Sequence, residues 1–368
     1  MTNESLNTIT VKQLYRLIPL LILPTGALAL PTMVGVKAGN GGWLCPWLSA
    51  SVSLVVIYIL GSLDRGFPNQ TFIEYAIELV GAAIGRSLGV LYSLFFLFSG
   101  MMVVLETSGF IVSTVLKETP RLIVLVAIYG AMAYMLSLGL EGIARLGDIL
   151  YMFLFVLIVT LVVGSTKDVH VNALFPLLDQ GWSGVLSGSY IAVSWFCEVI
   201  VAAMFFPSVK YKSHLRTHLV MGVLVTSILL SAATAVTIGV LGPQETARNV
   251  YATFNVVRYI QWGEFFQHID AFFIIPWISV MILKSMMFYH AGVMGLTQTC
   301  GISRYQLLIV PLMVLSVVSA LWLFPNEFSI SEYHRFVFPN YAVVLEVFIP
   351  ALLWIVFLIK SRASRTNR

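Results

Sequence analysis

Three ionisable side chains stand in the middle of long apolar stretches: Glu106, Glu198 and Lys284. A charge at the centre of a bilayer costs about 2.5–3.5 kcal/mol on insertion scales, so such residues face a bundle interior or a wet cavity and find partners. One ammonium and two carboxylates can pair across a helical bundle. The bland reading is a structural ion pair that fixes helix packing. The functional reading places the three beside a polar cavity. Glu346 stands closer to a span boundary, and Asp270 stands near the start of its stretch, where an interfacial position suffices.

Two stretches carry backbone signals. The first reads Ile22-Leu23-Pro24-Thr25-Gly26-Ala27-Leu28-Ala29-Leu30-Pro31, and the second Gly188-Ser189-Tyr190 followed by Ser194-Trp195-Phe196-Cys197-Glu198 and Pro207. Proline removes a backbone donor and glycine weakens a helix. Pro and Gly are also frequent in membrane helices for no special reason. Matched interruptions in two halves of a chain, however, are the best sequence pointer to a transporter-type binding site. A broken helix exposes N–H groups for a carboxylate and C=O groups for an ammonium. On this reading Thr25, Gly26 and Ala27 offer backbone donors to an anionic group, and Trp195, Phe196, Cys197 and Glu198 line the opposite wall. Gly26 is the critical position, since a larger side chain would fill the place where ligand meets backbone.

Other chemistry is not signalled. The sequence has no GxSxG, no HExxH and no glycine-rich phosphate loop. The six histidines are scattered, and His214 and His218, four apart, sit beside Lys212 and Arg216 as a solvated or headgroup-facing surface. Cys45, Cys197 and Cys300 are far apart and odd in number, which suits neither a disulfide framework nor a metal site. No enzyme activity, cofactor or metal is expected.

The elements that must position these residues are apolar spans. Of the 368 residues, 59% are hydrophobic and 10% charged, and the mean hydropathy is +0.92. Soluble domains sit near ~45–50% apolar and ~25% charged. A soluble globule, a disordered chain, a coiled coil and a nucleic-acid binder are excluded, and a polytopic membrane protein remains. Each span needs about 20 apolar residues. Ten spans are predicted, at about 14–36, 43–63, 88–116, 120–138, 145–164, 185–207, 217–241, 268–296, 305–324 and 339–359, in one transmembrane domain over 1–368. Ala27-Leu28-Ala29 imitates a signal-peptidase site, but Pro24 and Gly26 interrupt the run, which is read as the first span.

Residues 69–84 carry Ile73, Ile77, Val80 and Ile84 at helical spacing among Glu74 and Glu78, which predicts an amphipathic helix at the membrane interface. The longest loops are 165–184 and 242–267, the second holding a short surface helix around Val256, Val257 and Ile260. Trp43, Trp47, Trp182 and Trp262 read as interface belts. With the N-terminus inside, 13 Lys and Arg residues fall on the inner side and 7 on the outer. That bias puts both termini in the cytoplasm.

The residues resemble a known family. Ile9-Thr10-Val11-Lys12-Gln13-Leu14, followed by Gly26 and Pro31, is similar to the first helix of the spore germination permeases. These are the B subunits of bacterial spore germinant receptors, within the amino acid/polyamine/organocation superfamily. Gly139-Leu140-Glu141-Gly142-Ile143-Ala144-Arg145 is similar to their signature before the fifth helix, with Asp148 where the family usually has Glu. Phe175-Pro176-Leu177-Leu178 with Gly181 looks like the following loop. Glu198 with Pro207 matches the sixth helix, and Lys284 with Tyr289 fits the eighth. The resemblance covers nearly the whole chain. It implies an all-α, ten-helix fold of inverted five-helix repeats with the first and sixth helices broken. It also implies A and C partner subunits in the inner membrane of the spore, and germinants that are amino acids or, jointly, sugars and potassium.

Two functions follow as expectations: a ligand-sensing receptor subunit on a transporter fold, or a working amino-acid symporter. An ammonium such as Lys284 can occupy a coupling cation's place, which argues against sodium. Glu106 and Glu198 are the available central acids for Lys284, and the sixth and eighth helices of the resembling fold favour Glu198.

Overall fold

The computed structural model describes residues 8–260, 270–324 and 326–366. It is built from helices, apart from two two-residue strands, β1 (Ile9–Thr10) and β2 (Val209–Lys210), which pair in parallel. The first half of the chain gives α1 (Val11–Ala38), α2 (Cys45–Gly66), α3 (Phe72–Val80), α4 (Ala82–Thr114), α5 (Arg121–Ser137) and α6 (Gly139–Gly164). The second half gives α7 (Gly181–Phe196), continued as a 3-10 helix over Cys197–Met204, then α8 (Leu215–Arg248), α9 (Ala252–Tyr259), α10 (Asp270–Cys300) and α11 (Gln306–Leu323). A last span runs through α12 (Glu327–Glu332), α13 (Phe338–Val343) and α14 (Ile349–Thr366), joined by π turns at Tyr333–Val337 and Val344–Phe348. Leaving aside the short α3 and α9, ten helical stretches among the described residues are long and apolar enough, or nearly so, to cross a membrane. Trp262 and His268 lie outside the described residues.

The expected break in α1 is not an unwound segment. Residues 11–38 are helical throughout, with Pro19, Pro24 and Pro31 inside. A proline at i leaves the carbonyl at i−4 without its amide donor. The carbonyl freed by Pro31 is that of Ala27, and the Thr253 hydroxyl of α9 donates to it at 2.6 Å. Thr32 Oγ1 likewise donates to the Asn249 carbonyl at 2.7 Å. The Thr253 hydroxyl thus replaces the donor that Pro31 removes, while the Thr32 hydroxyl ties α1 to the connection after α8, and the helix stays wound. The second interruption does change the helix: α7 tightens into a 3-10 coil from Cys197, just where Glu198 follows.

Helix α2 holds α7 by a ladder of small polar side chains spaced four apart. Cys45 Sγ faces the Val185 carbonyl at 3.5 Å, Ser49 Oγ donates to the Ser189 carbonyl at 2.9 Å, and Ser53 Oγ donates to the Phe196 carbonyl at 2.8 Å. A Cβ at Gly188 would sit 2.8 Å from Cys45 Sγ. Small residues let membrane helices approach closely when no hydrophobic force drives them together.

The residues of the first motif meet at one end of the bundle. Thr10 and Gln13 form a reciprocal cap on α1. Gln13 Nε2 and Arg16 then reach Asp148 of α6 at 3.0 and 2.6 Å. Lys212 pairs with Asp64 at 2.6 Å, and Arg216 lies over the Tyr58 ring. Of these, Arg16, Lys212 and Arg216 belong to the set that the charge bias puts on the inner side. At the other end, Asn40 binds Asp179 and the Phe175 carbonyl, so the 165–184 loop clasps the turn after α1. A Cβ at Gly41 would meet the Leu177 carbonyl oxygen at 2.2 Å, which requires glycine there.

Three expectations shift. Helix α3 forms as a short amphipathic helix, but Phe72, Ile73, Tyr75, Ala76 and Leu79 are buried against α4, α10 and α14, while Ile84 is exposed on α4. Helix α9 likewise buries Val256 and Val257 against α1 and α8. The last span begins a dozen residues earlier than 339, because the polar run Glu332-Tyr333-His334-Arg335 continues the helix instead of forming a loop. Gly242, with φ of 77°, ends the straight part of α8 where the seventh span was predicted to stop.

Thr253→Val should remove the hydroxyl donor on the Ala27 carbonyl and cost about 1–3 kcal/mol, the penalty for an unsatisfied buried acceptor. Adding Pro31→Ala restores the amide donor, so the double variant should recover most of that loss in a thermal unfolding series. Simple additivity of the two changes would contradict this account of the proline.

Candidate functional site

Lys284 sits near the middle of α10 and is fully buried. Its ammonium donates to both carboxylate oxygens of Glu198, at 2.7 and 2.9 Å, and to Thr25 Oγ1 at 2.5 Å. Glu198 is 3% exposed. The contact joins α1, the 3-10 end of α7, and α10. Every proton of the ammonium has an acceptor, which is the condition under which a buried pair holds. The choice between the two acids falls on Glu198.

Glu106 takes another partner. It lies on α4 one face with Ser99, Met102 and Val103, at helical spacing. Its Oε1 is 3.3 Å from His334 Nδ1, which also faces the Ile330 carbonyl at 3.1 Å. The His334 ring stacks on Trp195, with centroids 6.1 Å apart and an interplanar angle of 20°.

These groups enclose a narrow central cavity. Its wall comes from Thr25 of α1, the Ser99–Glu106 face of α4, Trp195 and Glu198, and Tyr333, His334 and Phe338 of the last span. Its volume is about 10 Å³, room for about one water. A second, larger cavity of about 140 Å³ adjoins it, lined by Leu28, Thr32, Arg248, Tyr251 and Ser331 among others. Glu106 and His334 belong to both walls. The pair therefore stands between the larger cavity, a vestibule, and the narrow chamber.

Of the residues singled out from sequence, Thr25, Glu106, Trp195 and Glu198 meet at the chamber, and Lys284 anchors it. Gly26, Ala27, Phe196 and Cys197 do not form its wall. A Cβ at Gly26 would sit 3.2 Å from Leu230 of α8, so this glycine serves helix packing. Inside a wound helix the amides of Thr25, Gly26 and Ala27 bond to the preceding turn and are not free donors. The Ala27 carbonyl is taken by Thr253 and the Phe196 carbonyl by Ser53. The charge recognition that backbone ends were expected to supply falls to side chains. A bulky residue at Gly26 would push on α8, so Gly26→Trp reports on packing and not on a ligand.

His334, Tyr333 and Phe338 were missed from sequence because their segment read as a loop. The signal was present: Phe328, Tyr333, Phe338 and Tyr341 form an aromatic run continuous with the last apolar stretch.

A family model described as a spore germination protein matches residues 8–328. Spore germination protein KB of Bacillus subtilis (strain 168) is 24% identical over 293 residues, 78% of this chain and 77% of that protein. Spore germination protein B2 of the same organism is 17% identical over 368 residues, 98% of each. Among solved structures, Mhp1, a nucleobase-cation-symport-1 family transporter in a closed conformation, superposes with a TM-score of 0.70 at 13% identity, covering 94% of this chain and 76% of that one. MhsT in complex with L-phenylalanine gives 0.55 at 16% identity, covering 94% and 97%. At these identities the likeness is one of fold: an all-α membrane protein of the inverted five-plus-five transporter type.

Lys284→Met leaves Glu198 a buried unpaired charge and should cost about 3–5 kcal/mol, and Glu198→Gln should also destabilise, because the ammonium loses two of its three acceptors. The double variant should lose less than the two single losses combined. Unfolding midpoints of the four proteins in detergent measure the coupling, and strict additivity would show that the two side chains do not interact.

Proposed function

The chain belongs to the spore germination protein family, and from that premise we propose that it is the membrane subunit of a spore germinant receptor, binding a small zwitterionic germinant in the central chamber. The observation that carries this reading is the Lys284–Glu198–Thr25 contact in the chamber wall, one partition away from the vestibule. A free amino acid carries the same two charges as the pair. Its carboxylate can take the place of Glu198 on Lys284, and its ammonium can take the place of Lys284 on Glu198 or Glu106. Breaking a buried pair is costly unless both charges find new partners. A ligand with only one charge leaves the other unpaired, so the site discriminates by charge complement. Trp195 supplies an apolar face for the ligand's side chain.

The chamber as built holds about one water, so entry requires α1, α7 and α10 to part and the Glu106–His334 partition to open. Because Lys284 bonds to both other helices, exchange of its partners changes how the three pack. On our reading, the A and C subunits of the receptor sense that change in the inner membrane of the spore, with both termini of this chain in the cytoplasm. Sugars and potassium would act as co-germinants.

The second reading, an amino-acid symporter, draws on the transporter neighbours. Against sodium coupling stands the ammonium of Lys284, which occupies the oxygen-lined position between α1 and α10 that a cation would need.

Spores carrying this receptor as their only one, tested with a panel of amino acids, should germinate with at least one of them. The chain reconstituted alone in vesicles should show no accumulation of that radiolabelled amino acid. Accumulation would replace the receptor reading with the symporter, and germination unaltered by deletion of the chain would remove it.

A further inference from the structure

Glu346 is a buried carboxyl that the chamber does not use. It lies in the π turn Val344–Phe348 of the last span and is fully buried. Neither of its carboxylate oxygens has a hydrogen-bond partner. Inserted π turns recur at functional positions because they redirect a side chain at some cost to the helix.

The turn packs against α13, α14 and the 3-10 end of α7, and α14 carries no titratable side chain before Lys360. The 3-10 end of α7 brings Cys197 and Glu198, and α10 brings Lys284. Helix α4 brings Tyr92, whose hydroxyl donates to the Leu345 carbonyl, and α13 brings Tyr341. Lys284 is the cation of this set, and both oxygens of Glu198 already bind it. The pair is neutral as it stands. An ionised Glu346 would add a negative charge with no hydrogen bond in a dry interior, and a carboxyl in that position takes a proton instead.

We propose that Glu346 is a proton-binding site whose occupancy is set by the net charge of the Glu198–Lys284 cluster. With the pair intact, Glu346 is a carboxylic acid. When the cluster gains a surplus positive charge, the O–H bond of Glu346 breaks, its electron pair stays on the carboxylate to face the cation, and the proton leaves to water. A ligand carrying a net positive charge would be one such surplus, so its binding would release one proton, whereas a zwitterion, whose carboxylate cancels its ammonium, would release none. The proton site itself stands whichever ligand the chamber takes; only this last consequence rests on the germinant reading.

The surplus charge can be made without a ligand. Glu198→Gln leaves Lys284 without its carboxylate, and Glu346 should then ionise to face it. Infrared spectra of the purified full chain in lipid at neutral pH should show the carbonyl stretch of a buried carboxylic acid. That band should be lost in Glu346→Gln, shifted but kept in Glu346→Asp, and lost again in Glu198→Gln although Glu346 is intact. Glu346→Gln should leave the unfolding midpoint near that of the wild type, since one neutral group replaces another. A wild-type spectrum without such a band, or a band that survives Glu346→Gln, would overturn the site. A band that survives Glu198→Gln would overturn its link to the pair.

Discussion

Lys284 carries a full positive charge into the driest part of the molecule, and the centre of the fold is arranged around satisfying it. The cost of a buried ammonium is met only when each proton has an acceptor and the charge has an opposite. Glu198 gives the charge and two acceptors, and Thr25 gives the third. Those residues sit on three different helices, so the requirement of one side chain fixes the mutual positions of α1, α7 and α10. In a bilayer, where apolar packing between helices gains little over packing against lipid, such polar contacts and close backbone approach are what set position.

Neighbouring features serve that placement. Glu198 reaches the cluster because α7 tightens into a 3-10 coil at Cys197, and the carbonyl at the transition is held by Ser53. Thr25 reaches it because α1 stays wound past three prolines, with the Thr253 hydroxyl standing in for one lost amide. Glu106 and His334 form a second polar contact and stand between the chamber and the vestibule. The result is a transporter-type bundle whose charged centre has its ammonium fully partnered.

Much of this could be read from the chain. Ten apolar stretches, the matched interruptions and three intramembrane charges specify a multi-pass bundle with a polar centre, since each is costly in lipid without a reason. The acid that pairs with Lys284 was weighed between Glu106 and Glu198, because distance along α4 and α7 says nothing about distance across the bundle. Three things were not legible. Proline content foretold missing donors in α1, but not that a threonine more than two hundred residues later would replace one. The polar run Glu332–Arg335 looked like a loop because local hydropathy cannot register that His334 faces Glu106 and Trp195 inside the bundle. Gly26 was assigned to a ligand on its type and place, while its neighbour Leu230 lies on a helix whose packing no local pattern reports.

The central claim is that the Lys284–Glu198 contact keeps the chamber closed to water. The direct test is the rate at which a water-soluble thiol reagent modifies a single cysteine placed at Val103 in the chamber wall, in a chain whose Cys45, Cys197 and Cys300 are replaced by serine. With the pair intact the cysteine should react slowly, at the level of a buried residue. With Lys284→Met in the same background it should react at least tenfold faster, as the helices that the ammonium joined come apart. Equal rates in the two proteins would contradict the account.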